Sequence, residues 1–424
     1  MSWTIKGNGT GEDLLYSQAG TPSLDLRFAA TKSLNDYVSG NNLITFTRAS
    51  SGTYTDSAGV LQTAATNEPR FDHNPTTGES LGLLVEEQRA NLLLQSEDFS
   101  TTWSVDGLSS IATNTIASPA STLTADTLTV SGGGANRVSQ SYFVPSAGTY
   151  TLSVYAKAGT GNVLQFRQFL ANKDAYVLFN FTTGVMGVVS GGNSASATAT
   201  ATALPNGWYR LVLTNTYSDA ATIDLRIGGA VGSSEINTTF YLWGAQLEAG
   251  AFPTSYIPTT TSTVTRSADV ASITGSNFSS WYRQDEGTVF ADAKNYPHPV
   301  TGEALVPLAF SDNTYNNRIT LAGSTGTNQF NFDVVSAGSF QRVILGNFVS
   351  SGLKASGGYK STGSAGSLDG AATVTSNTPN IPSVIGRLDI GQPHDGNNAL
   401  NGCISRLTYW PVRLGNNVLQ QITQ

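Results

Sequence analysis

Residues 148–159, GTYTLSVYAKAG, decide the fold class of this chain. Apolar and polar side chains alternate along the stretch, and successive side chains of an extended strand point to opposite faces. One face carries Tyr150, Leu152, Val154 and Ala156, and the other carries Thr151, Ser153, Tyr155 and Lys157. This period of two predicts a β-strand with one buried face.

The same alternation recurs in two stretches further along the chain. In NVLQFRQFL (162–170), one face carries Leu164, Phe166 and Leu170, and the reverse carries Gln165, Arg167 and Phe169. In ATIDLRIGG (221–229), one face of the predicted strand carries Ile223, Leu225 and Ile227, and the other face carries Asp224 and Arg226. Glycine, asparagine and serine turns separate such strands. Residues 91–258 are therefore predicted to form an antiparallel two-sheet sandwich of the jelly-roll type.

A threonine-rich linker begins at Pro258, and further strand patterns follow it. They start with EGTVFADAK (286–294) and end with CISRLTYW (403–410). We expect residues 259–424 to form a second β-sandwich in which this last strand pairs with the first.

Residues 1–90 are less regular than the rest of the chain. LDLRFAA (24–30) alternates like a strand, and LGLLVEE (81–87) is typical of a strand that lies against a neighbouring domain. The segment has few apolar residues, so we expect it to pack on another domain or on a partner chain. The predicted fold class is mostly β: an irregular N-terminal connector region (1–90) and two consecutive antiparallel β-sandwiches (91–258 and 259–424).

Composition narrows the possible functions. Charged residues make up 12% of the 424 residues, about half the usual fraction, and the formal net charge is −7. Without a cluster of lysine or arginine, nucleic-acid binding is not expected. No apolar run reaches the roughly 20 residues that span a membrane, so no membrane insertion is expected. The first residues lack the features of a signal peptide, so we expect folding in a cytoplasm.

The large aromatic residues and the single cysteine are predicted to be buried. Trp208, Trp243, Trp281 and Trp410 occur in apolar surroundings typical of core packing. Cys403 lies between Gly402 and Ile404, where a small hydrophobic residue fits. One cysteine allows neither a disulfide framework nor a multi-cysteine zinc site.

Candidate catalytic groups are few. Glycoside hydrolysis needs two carboxyl groups on either side of one bond. The acidic pairs Asp285–Glu286 and Glu86–Glu87 are adjacent in sequence, and adjacent side chains of a strand point to opposite faces. We therefore expect Asp285 and Glu286 to be solvated turn residues, and we predict that the protein is not an enzyme.

The histidines and one acidic loop add no clear chemistry. His73, His298 and His394 are flanked by proline, asparagine, aspartate or glycine, so each is predicted to lie in a loop, and no G-x-S-x-G motif accompanies them. Asp395, Asn397 and Asn398 offer oxygen ligands for a structural calcium ion, although an ordinary Asn/Gly turn explains the same residues. No cofactor is predicted.

Three stretches carry a resemblance to known families. Residues 46–99, FTRASS…SEDF, resemble a segment of bacteriophage head-spike and fibre proteins. FYLWGAQLEAGAFPTSYIPT (240–259) is similar to the end of carbohydrate-binding jelly rolls in such proteins. TRSADVASITG (265–275) and LNGCISRLTYWPVRL (400–414) are similar to concanavalin-like, or laminin-G-like, sandwiches.

The resemblance implies a phage virion protein, a head spike or tail fibre, that is usually a homotrimer and carries glycan-binding modules. It implies contact with other virion proteins, here expected through the N-terminal region, and with a host cell-surface glycan. The expected location is the virion surface, after assembly in the host cytoplasm. Two rival functions remain: a capsid decoration protein without glycan binding, and a polysaccharide depolymerase.

The predicted outward face of the first sandwich supplies the candidate glycan site. Aromatic rings and hydrogen-bonding side chains on a rigid sheet are suited to sugar recognition, and an outward Phe169 among polar neighbours needs an explanation. The candidate residues are Tyr155, Gln165, Arg167, Phe169, Asp224 and Arg226. A second interpretation stays open, because a face covered by another subunit or by the N-terminal segment uses the same residue types.

Overall fold

The computed structural model describes residues 12–131, 136–170, 174–187, 197–229, 237–294, 305–323, 327–347, 352–377 and 381–424. Within these ranges the strands are β1 (Leu24–Leu26), β2 (Thr45–Thr47), β3 (Gly52–Thr55), β4 (Leu61–Ala64), β5 (Phe71–His73), β6 (Ser80–Val85), β7 (Arg89–Asn91), β8 (Ser104–Asp106), β9 (Ser109–Ile116), β10 (Ala125–Val130), β11 (Arg137–Val144), β12 (Gly148–Ala158), β13 (Val163–Phe169), β14 (Ala175–Asn180), β15 (Val185–Met186), β16 (Thr198–Ala203), β17 (Trp208–Tyr217), β18 (Ala221–Gly229), β19 (Thr238–Ala249), β20 (Val264–Arg266), β21 (Val270–Thr274), β22 (Glu286–Lys294), β23 (Leu308–Ser311), β24 (Arg318–Gly323), β25 (Gln329–Ser336), β26 (Ser339–Asn347), β27 (Gly352–Lys360), β28 (Gly363–Leu368), β29 (Val374–Ser376), β30 (Arg387–Ile390) and β31 (Gly402–Trp410).

The helices of these ranges are short. They are α1 (Glu12–Ala19), α2 (Phe28–Thr31), α3 (Gly275–Ser279) and α4 (Asn416–Gln421), with one 3₁₀ turn at Pro205–Gly207. In the part of the chain that the structure describes, none of them has the length and apolar character needed to cross a membrane. The fold class is therefore mostly β, as the sequence predicted.

The first sandwich consists of two six-stranded antiparallel sheets. One sheet has the order β16-β17-β12-β19-β10-β9, and the other has the order β15-β14-β13-β18-β11-β8. The apolar sets recognised in the sequence meet between them: Leu152 and Val154 from β12, Phe166 from β13 and Leu225 from β18 are all fully buried in one cluster. The predicted inward faces are confirmed for these strands.

The second sandwich pairs an eight-stranded sheet with a seven-stranded sheet. The order β29-β28-β27-β22-β31-β6-β5, with β1 also on β31, forms the first, and β2-β21-β30-β23-β24-β25-β26 forms the second. The last strand, β31, pairs antiparallel with β22 from Thr288 opposite Trp410 to Lys294 opposite Cys403. The predicted pairing of the final strand with EGTVFADAK is confirmed.

The structure corrects the prediction that residues 1–90 form a separate region. Strands β1, β5 and β6 extend the eight-stranded sheet, and β2 lies at the edge of the seven-stranded sheet. The first sandwich is therefore inserted between two segments that together build the second. The sequence did not reveal this because β1, β2 and β5 have only three residues each, and the partners of β1 and β2 lie hundreds of residues away.

A buried ionic cluster attaches β1 to the end of the chain. Asp25 of β1 is 0% exposed, and its carboxylate accepts hydrogen bonds from Arg406 Nε at 2.8 Å and Arg406 Nη2 at 2.7 Å. Arg27 Nε donates to the same carboxylate at 2.6 Å. Removing one partner of such a buried group costs several kcal/mol, so these contacts fix the pairing of β1 with β31.

A second buried cluster, which we call the junction network, lies where the chain enters and leaves the first sandwich. It comprises Arg48, Arg70, Glu86, Arg266 and Asp269. Arg48 Nη1 lies 3.0 Å from Asp269 Oδ1, and Arg70 Nη1 lies 2.8 Å from Glu86 Oε2. Arg70 also bonds Asp269, so two carboxylates connect three arginines.

The junction network also contacts the first sandwich. Glu86 accepts hydrogen bonds from Ser255 N and Ser255 Oγ, both at 2.7 Å. Burial favours a neutral carboxyl at Glu86, but the charges of Arg266 and Arg70 and the Ser255 bonds outweigh it and lower the pKa to about 2. The two sandwiches are thus joined through buried ion pairs and the hydrogen bonds of Glu86 to Ser255.

Candidate functional site

Five of the six predicted glycan-binding residues lie together on the outer surface of one sheet. In the pairing of β13 with β18, Arg167 lies opposite Arg226, and Phe169 lies opposite Asp224. Gln165 is two residues before Arg167 on β13 and lies opposite Gly228. Because alternate residues of both strands are buried in the core, these side chains point away from it. We call this surface the β13–β18 face.

Two arginine guanidiniums lie close to the Phe169 ring. The Arg226 guanidinium carbon lies 3.6 Å from the centre of the Phe169 ring, and that of Arg167 lies 4.7 Å away. A cation over an aromatic face contributes about 0.5–1 kcal/mol at an exposed site. These contacts explain how an outward phenylalanine is accommodated, because its own chain covers part of the ring.

Each arginine is held by a carboxylate. Arg167 binds Asp174 through two parallel contacts, Nε to Oδ1 at 2.7 Å and Nη2 to Oδ2 at 2.5 Å. Arg226 Nε donates to Asp224 Oδ2 at 2.6 Å. Two-point binding fixes the plane of a guanidinium, so the face presents oriented donors beside an apolar ring. These side chains are 14–25% exposed, so a ligand can reach them.

Two residues of the face were missed from the sequence. Tyr176 lies directly opposite Arg167 in the pairing of β13 with β14, and the Arg167 guanidinium is 5.5 Å from its ring centre. The alternation of AYVLFN, extended across a hairpin, would have placed Tyr176 there. Asp174 precedes β14, and a residue in a connection carries no strand pattern that would reveal its contact.

Tyr155 is not part of this face, which corrects the prediction. It belongs to β12, in the opposite sheet, and is 3% exposed. Its ring packs 5.4 Å from the Trp243 ring and 6.1 Å from the Tyr256 ring, centre to centre. The side chain points away from the sandwich core as predicted, but residues from the end of the first sandwich cover it. We call this outer surface of the β12 sheet the covered face.

The covered face is built for aromatic packing. Gly244 of β19 has φ +63°, and a Cβ there would lie 2.9 Å from the Tyr155 ring. Trp243 Nε1 donates to Thr124 Oγ1 at 3.0 Å, so the indole has a partner in its buried position. Trp208 lies in the same cluster. Trp208, Trp243, Trp281 and Trp410 are all 6% exposed or less, so their predicted burial is confirmed.

The predicted acidic pairs form ion pairs within the chain. Arg283 Nε contacts Asp285 Oδ1 at 2.6 Å, and Arg283 Nη1 contacts Glu286 Oε1 at 2.9 Å. The hydrogen bond from Arg283 lowers the pKa of Asp285. Glu86 belongs to the junction network, and Glu87 contacts Arg89 at 2.5 Å. Each of these four carboxylates forms an ion pair with an arginine of the same chain.

The histidines and the candidate calcium loop lie at separate places. His73 is in strand β5 and 5% exposed, so its predicted loop position is wrong, because a short β5 pairs with β6. His394 lies in a turn, 4.7 Å from the Tyr315 ring, and His298 lies outside the described residues. Asp395 accepts hydrogen bonds from Asn397 N at 3.2 Å and Nδ2 at 2.6 Å.

The described residues form no metal site, and the single cysteine is buried. Among the residues that the structure describes, no three His, Cys, Asp or Glu side chains are grouped to hold a metal ion. Cys403 is 0% exposed and packs with Leu81 and Leu84, which confirms its predicted burial. Burial raises the pKa of its thiol well above the usual value, so the thiol stays protonated.

Comparison with known proteins finds similarity only at the level of structure. No protein-family model matches the chain, and no curated protein matches it in sequence. A Ruminococcus gnavus IT-sialidase CBM40 is similar over 35% of this chain and 88% of its own, with 13% identity and a TM-score of 0.29. The mouse laminin alpha1 chain domains LG4-5 are similar over 66% of this chain and 86% of their own, at 9% identity and a TM-score of 0.21.

A Trypanosoma rangeli sialidase is similar over 70% of this chain and 60% of its own length. Its identity is 10%, and its TM-score is 0.29. At such low TM-scores, the fold class rests on the strand pairing of this chain itself.

Proposed function

We propose that this chain is a non-enzymatic bacteriophage virion protein, a head spike or tail fibre, that binds a host-surface glycan through the β13–β18 face. The observation that carries the proposal is the cluster of Phe169 with Arg167 and Arg226, in which Asp174 and Asp224 hold the two guanidiniums. The phenyl ring offers apolar surface to the C–H groups of a sugar. The surrounding charges offer hydrogen bonds to its hydroxyls.

The face retains the hydrogen-bonding groups that such a ligand needs. A guanidinium has five N–H donors, and the ion pair of Arg226 with Asp224 uses the one on Nε. Each carboxylate accepts more than one hydrogen bond. Vicinal hydroxyls, which both donate and accept, can therefore bond an arginine and an aspartate together. Gln165 and Tyr176 extend the same chemistry along the strands.

Assembly would strengthen weak binding. Open protein surfaces of this kind bind single sugars weakly, and linking several sites raises the apparent affinity by factors of about 10²–10⁴. A homotrimer on the virion surface would supply that linkage. The resemblance of residues 46–99 to head-spike and fibre proteins supports the virion location and the contact with other virion proteins.

The virion location is tested by imaging labelled particles. Deleting Met1–Ala90 is unsuitable, because it removes four strands of the second sandwich. We expect electron microscopy of phage particles carrying a tagged chain to show both sandwiches projecting outward from capsid or tail. A chain lying flat across capsomers would instead support a decoration protein.

Glycan binding is tested on an array of host-surface polysaccharide fragments. We expect Phe169→Ala and Arg226→Gln to weaken binding at least tenfold. The matched control is Phe340→Ala in the second sandwich, where Phe340 lies 4.8 Å from the Arg342 guanidinium and 5.5 Å from that of Arg318. A blank array for the unmodified protein, or equal loss in all three variants, would overturn the proposal.

The depolymerase alternative has its own readout. We expect no release of reducing ends from host polysaccharide, because the acidic pairs of the chain are engaged with arginines. Turnover that disappears in Asp224→Asn or Asp285→Asn would show an enzyme and contradict the proposal.

A further inference from the structure

A large cleft separates the two sandwiches, away from the β13–β18 face. Its volume is ≈1150 Å³, above the range of about 300–1,000 Å³ that is usual for small-molecule sites. Residues of β16 and β17 line one side, and residues of β5, β6, β22 and β27 line the other. The cleft therefore has room for a ligand larger than a single sugar ring.

The first wall is a ladder of hydroxyl groups. Thr198, Thr200 and Thr202 alternate with alanines that pack toward the core of the first sandwich, so the threonines face the cleft. Alternate residues of a strand are about 7 Å apart, so this row extends over roughly 13 Å. Thr214 and Arg210 of β17 stand beside it. This wall carries one charge among several neutral donors and acceptors.

The second wall carries charges of both signs. Its acidic residues are Asp72, Glu79, Glu86, Asp292 and Asp369, and its basic residues are Lys294 and Lys354. Lys294 Nζ contacts Glu79 Oε1 at 2.7 Å, and Lys354 Nζ donates to the main-chain oxygen of Gln424 at 2.5 Å. Acidic side chains outnumber the basic ones, Lys294, Lys354 and Arg210, so the cleft does not favour an anionic ligand.

Two lining residues have polar atoms without a partner. His73 is 5% exposed, and while its Nδ1 is 3.0 Å from Thr55 O, its Nε2 makes no hydrogen bond. Arg210 uses Nη2 to reach Thr254 O at 2.7 Å, but its buried Nε is also unpartnered. Both atoms are buried beneath the surface of the cleft, so these two side chains support its wall rather than line it with free donors.

One pair of carboxyl groups in the cleft, Asp72 and Asp292, lies too far apart to flank a single glycosidic bond. Asp72 on β5 and Asp292 on β22 belong to the same sheet, with β6 and β31 between them. Three strand spacings place their backbones about 14 Å apart. Glycosidases hold their two carboxyl groups about 5–9.5 Å apart.

We infer that this cleft is a second carbohydrate site, which takes a neutral oligosaccharide of several sugar units. The volume of the cleft and the row of threonine hydroxyls suit a hydroxyl-rich chain of several sugar units, and the excess of acidic side chains favours an uncharged chain over an anionic one. The inference deepens the proposed function, since it rests on the protein being a glycan binder. It adds a second binding site at a place separate from the β13–β18 face.

The test uses the full chain and a panel of neutral probes: maltoheptaose, cellohexaose, mannohexaose and xylohexaose. Binding is measured by saturation-transfer NMR and by calorimetry at millimolar sugar. The blocking variant is Thr200→Trp, which fills the cleft from its rim. The matched control is Thr113→Trp on β9, an exposed residue at the opposite edge of the same sheet. A milder variant, Thr200→Val, removes only the hydroxyl.

We expect at least one probe to bind, Thr200→Trp to weaken it at least tenfold, and Thr200→Val to weaken it less. Thr113→Trp and Phe169→Ala should leave this binding unchanged. If Phe169→Ala abolishes binding and Thr200→Trp does not, the cleft inference fails while the proposed function stands. If no neutral probe binds, or if a hyaluronan octasaccharide binds the cleft equally well, the inference is overturned.

Discussion

The two outer faces of the first sandwich look alike in sequence and differ in structure. On both, polar and aromatic side chains alternate with core residues. On the covered face, Tyr155 and Trp243 are packed under Tyr256, and Thr53 donates to the main-chain oxygen of Tyr256 at 2.6 Å. On the β13–β18 face, Phe169 meets only arginines of its own sheet in the described contacts. The alternation of the sequence therefore shows which side chains point away from the core. Whether those side chains are buried depends on chain segments that are distant in sequence.

The largest effect is expected where the covering segments are anchored. Asp269→Asn leaves Arg48, Arg70 and Arg266 with Glu86 as the remaining carboxylate of the junction network. Breaking a buried ion pair costs about 3–5 kcal/mol, so the free energy of unfolding should fall by that amount. The control on the open face is Asp224→Asn, which should cost under about 1 kcal/mol. Denaturant unfolding followed by tryptophan fluorescence measures both, and equal losses would contradict the comparison.

The second largest loss of stability is expected when an aromatic side chain of the covered face is removed. Trp243 is 2% exposed and contacts the Tyr256 ring at 4.6 Å. Trp243→Ala removes a large buried side chain and should lower the free energy of unfolding by about 3 kcal/mol. Differential scanning calorimetry of the full chain would show the loss. A variant as stable as the unmodified protein would mean that this face is not tightly covered.

The pH dependence of stability distinguishes two carboxyl groups near the covered face. The folded-state pKa of Glu86 is lowered to about 2, so its contribution is present above about pH 4.3 and is lost as the pH falls toward 2. Burial raises the pKa of Asp72 to about 6, so its contribution is present below about pH 3.9 and is lost as the pH rises through 6.

Unfolding measured from pH 2 to 7 checks both directions. Glu86→Gln should flatten the loss of stability in acid, and Asp72→Asn should flatten the loss between about pH 4 and 6. If the free energy of unfolding of both variants depends on pH as in the unmodified protein, the lowered pKa of Glu86 and the raised pKa of Asp72 are both contradicted.

The smallest effect on stability is expected on the open face. Phe169→Ala removes a partly exposed ring and its two cation contacts, which should cost about 1 kcal/mol or less. Chemical denaturation gives the value. A cost near that of Trp243→Ala would show that another segment or subunit covers Phe169, which is the second interpretation that the sequence left open.

Much of the fold could be predicted from local pattern. The alternation in β12, β13 and β18 located the core of the first sandwich, and the final strand paired with β22 as expected. The contribution of residues 1–90 to the second sandwich could not be predicted, because a three-residue strand such as β1 has almost no periodicity. Its place is fixed by the bond of Asp25 to Arg406, 381 residues away.

The candidate site was predictable to the same degree. The strand period puts Arg167 and Phe169 on one face of β13 and Asp224 and Arg226 on one face of β18, and the pairing of the two strands brings these faces together. Tyr155 satisfied the same period but lies in the other sheet, and the order of strands in a sheet is not contained in the period of one strand. Asp174 was missed because it precedes a strand, where side-chain direction follows the connection.

Hydrogen–deuterium exchange with and without a bound glycan tests the central claim most directly. We expect slower hydrogen–deuterium exchange in peptides covering residues 163–169 and 221–229 when the glycan selected on the array binds. Peptides covering the β12 and β19 strands of the covered face should not change. A glycan that binds while residues 163–169 and 221–229 exchange at their original rates would contradict the assignment of the site to the β13–β18 face.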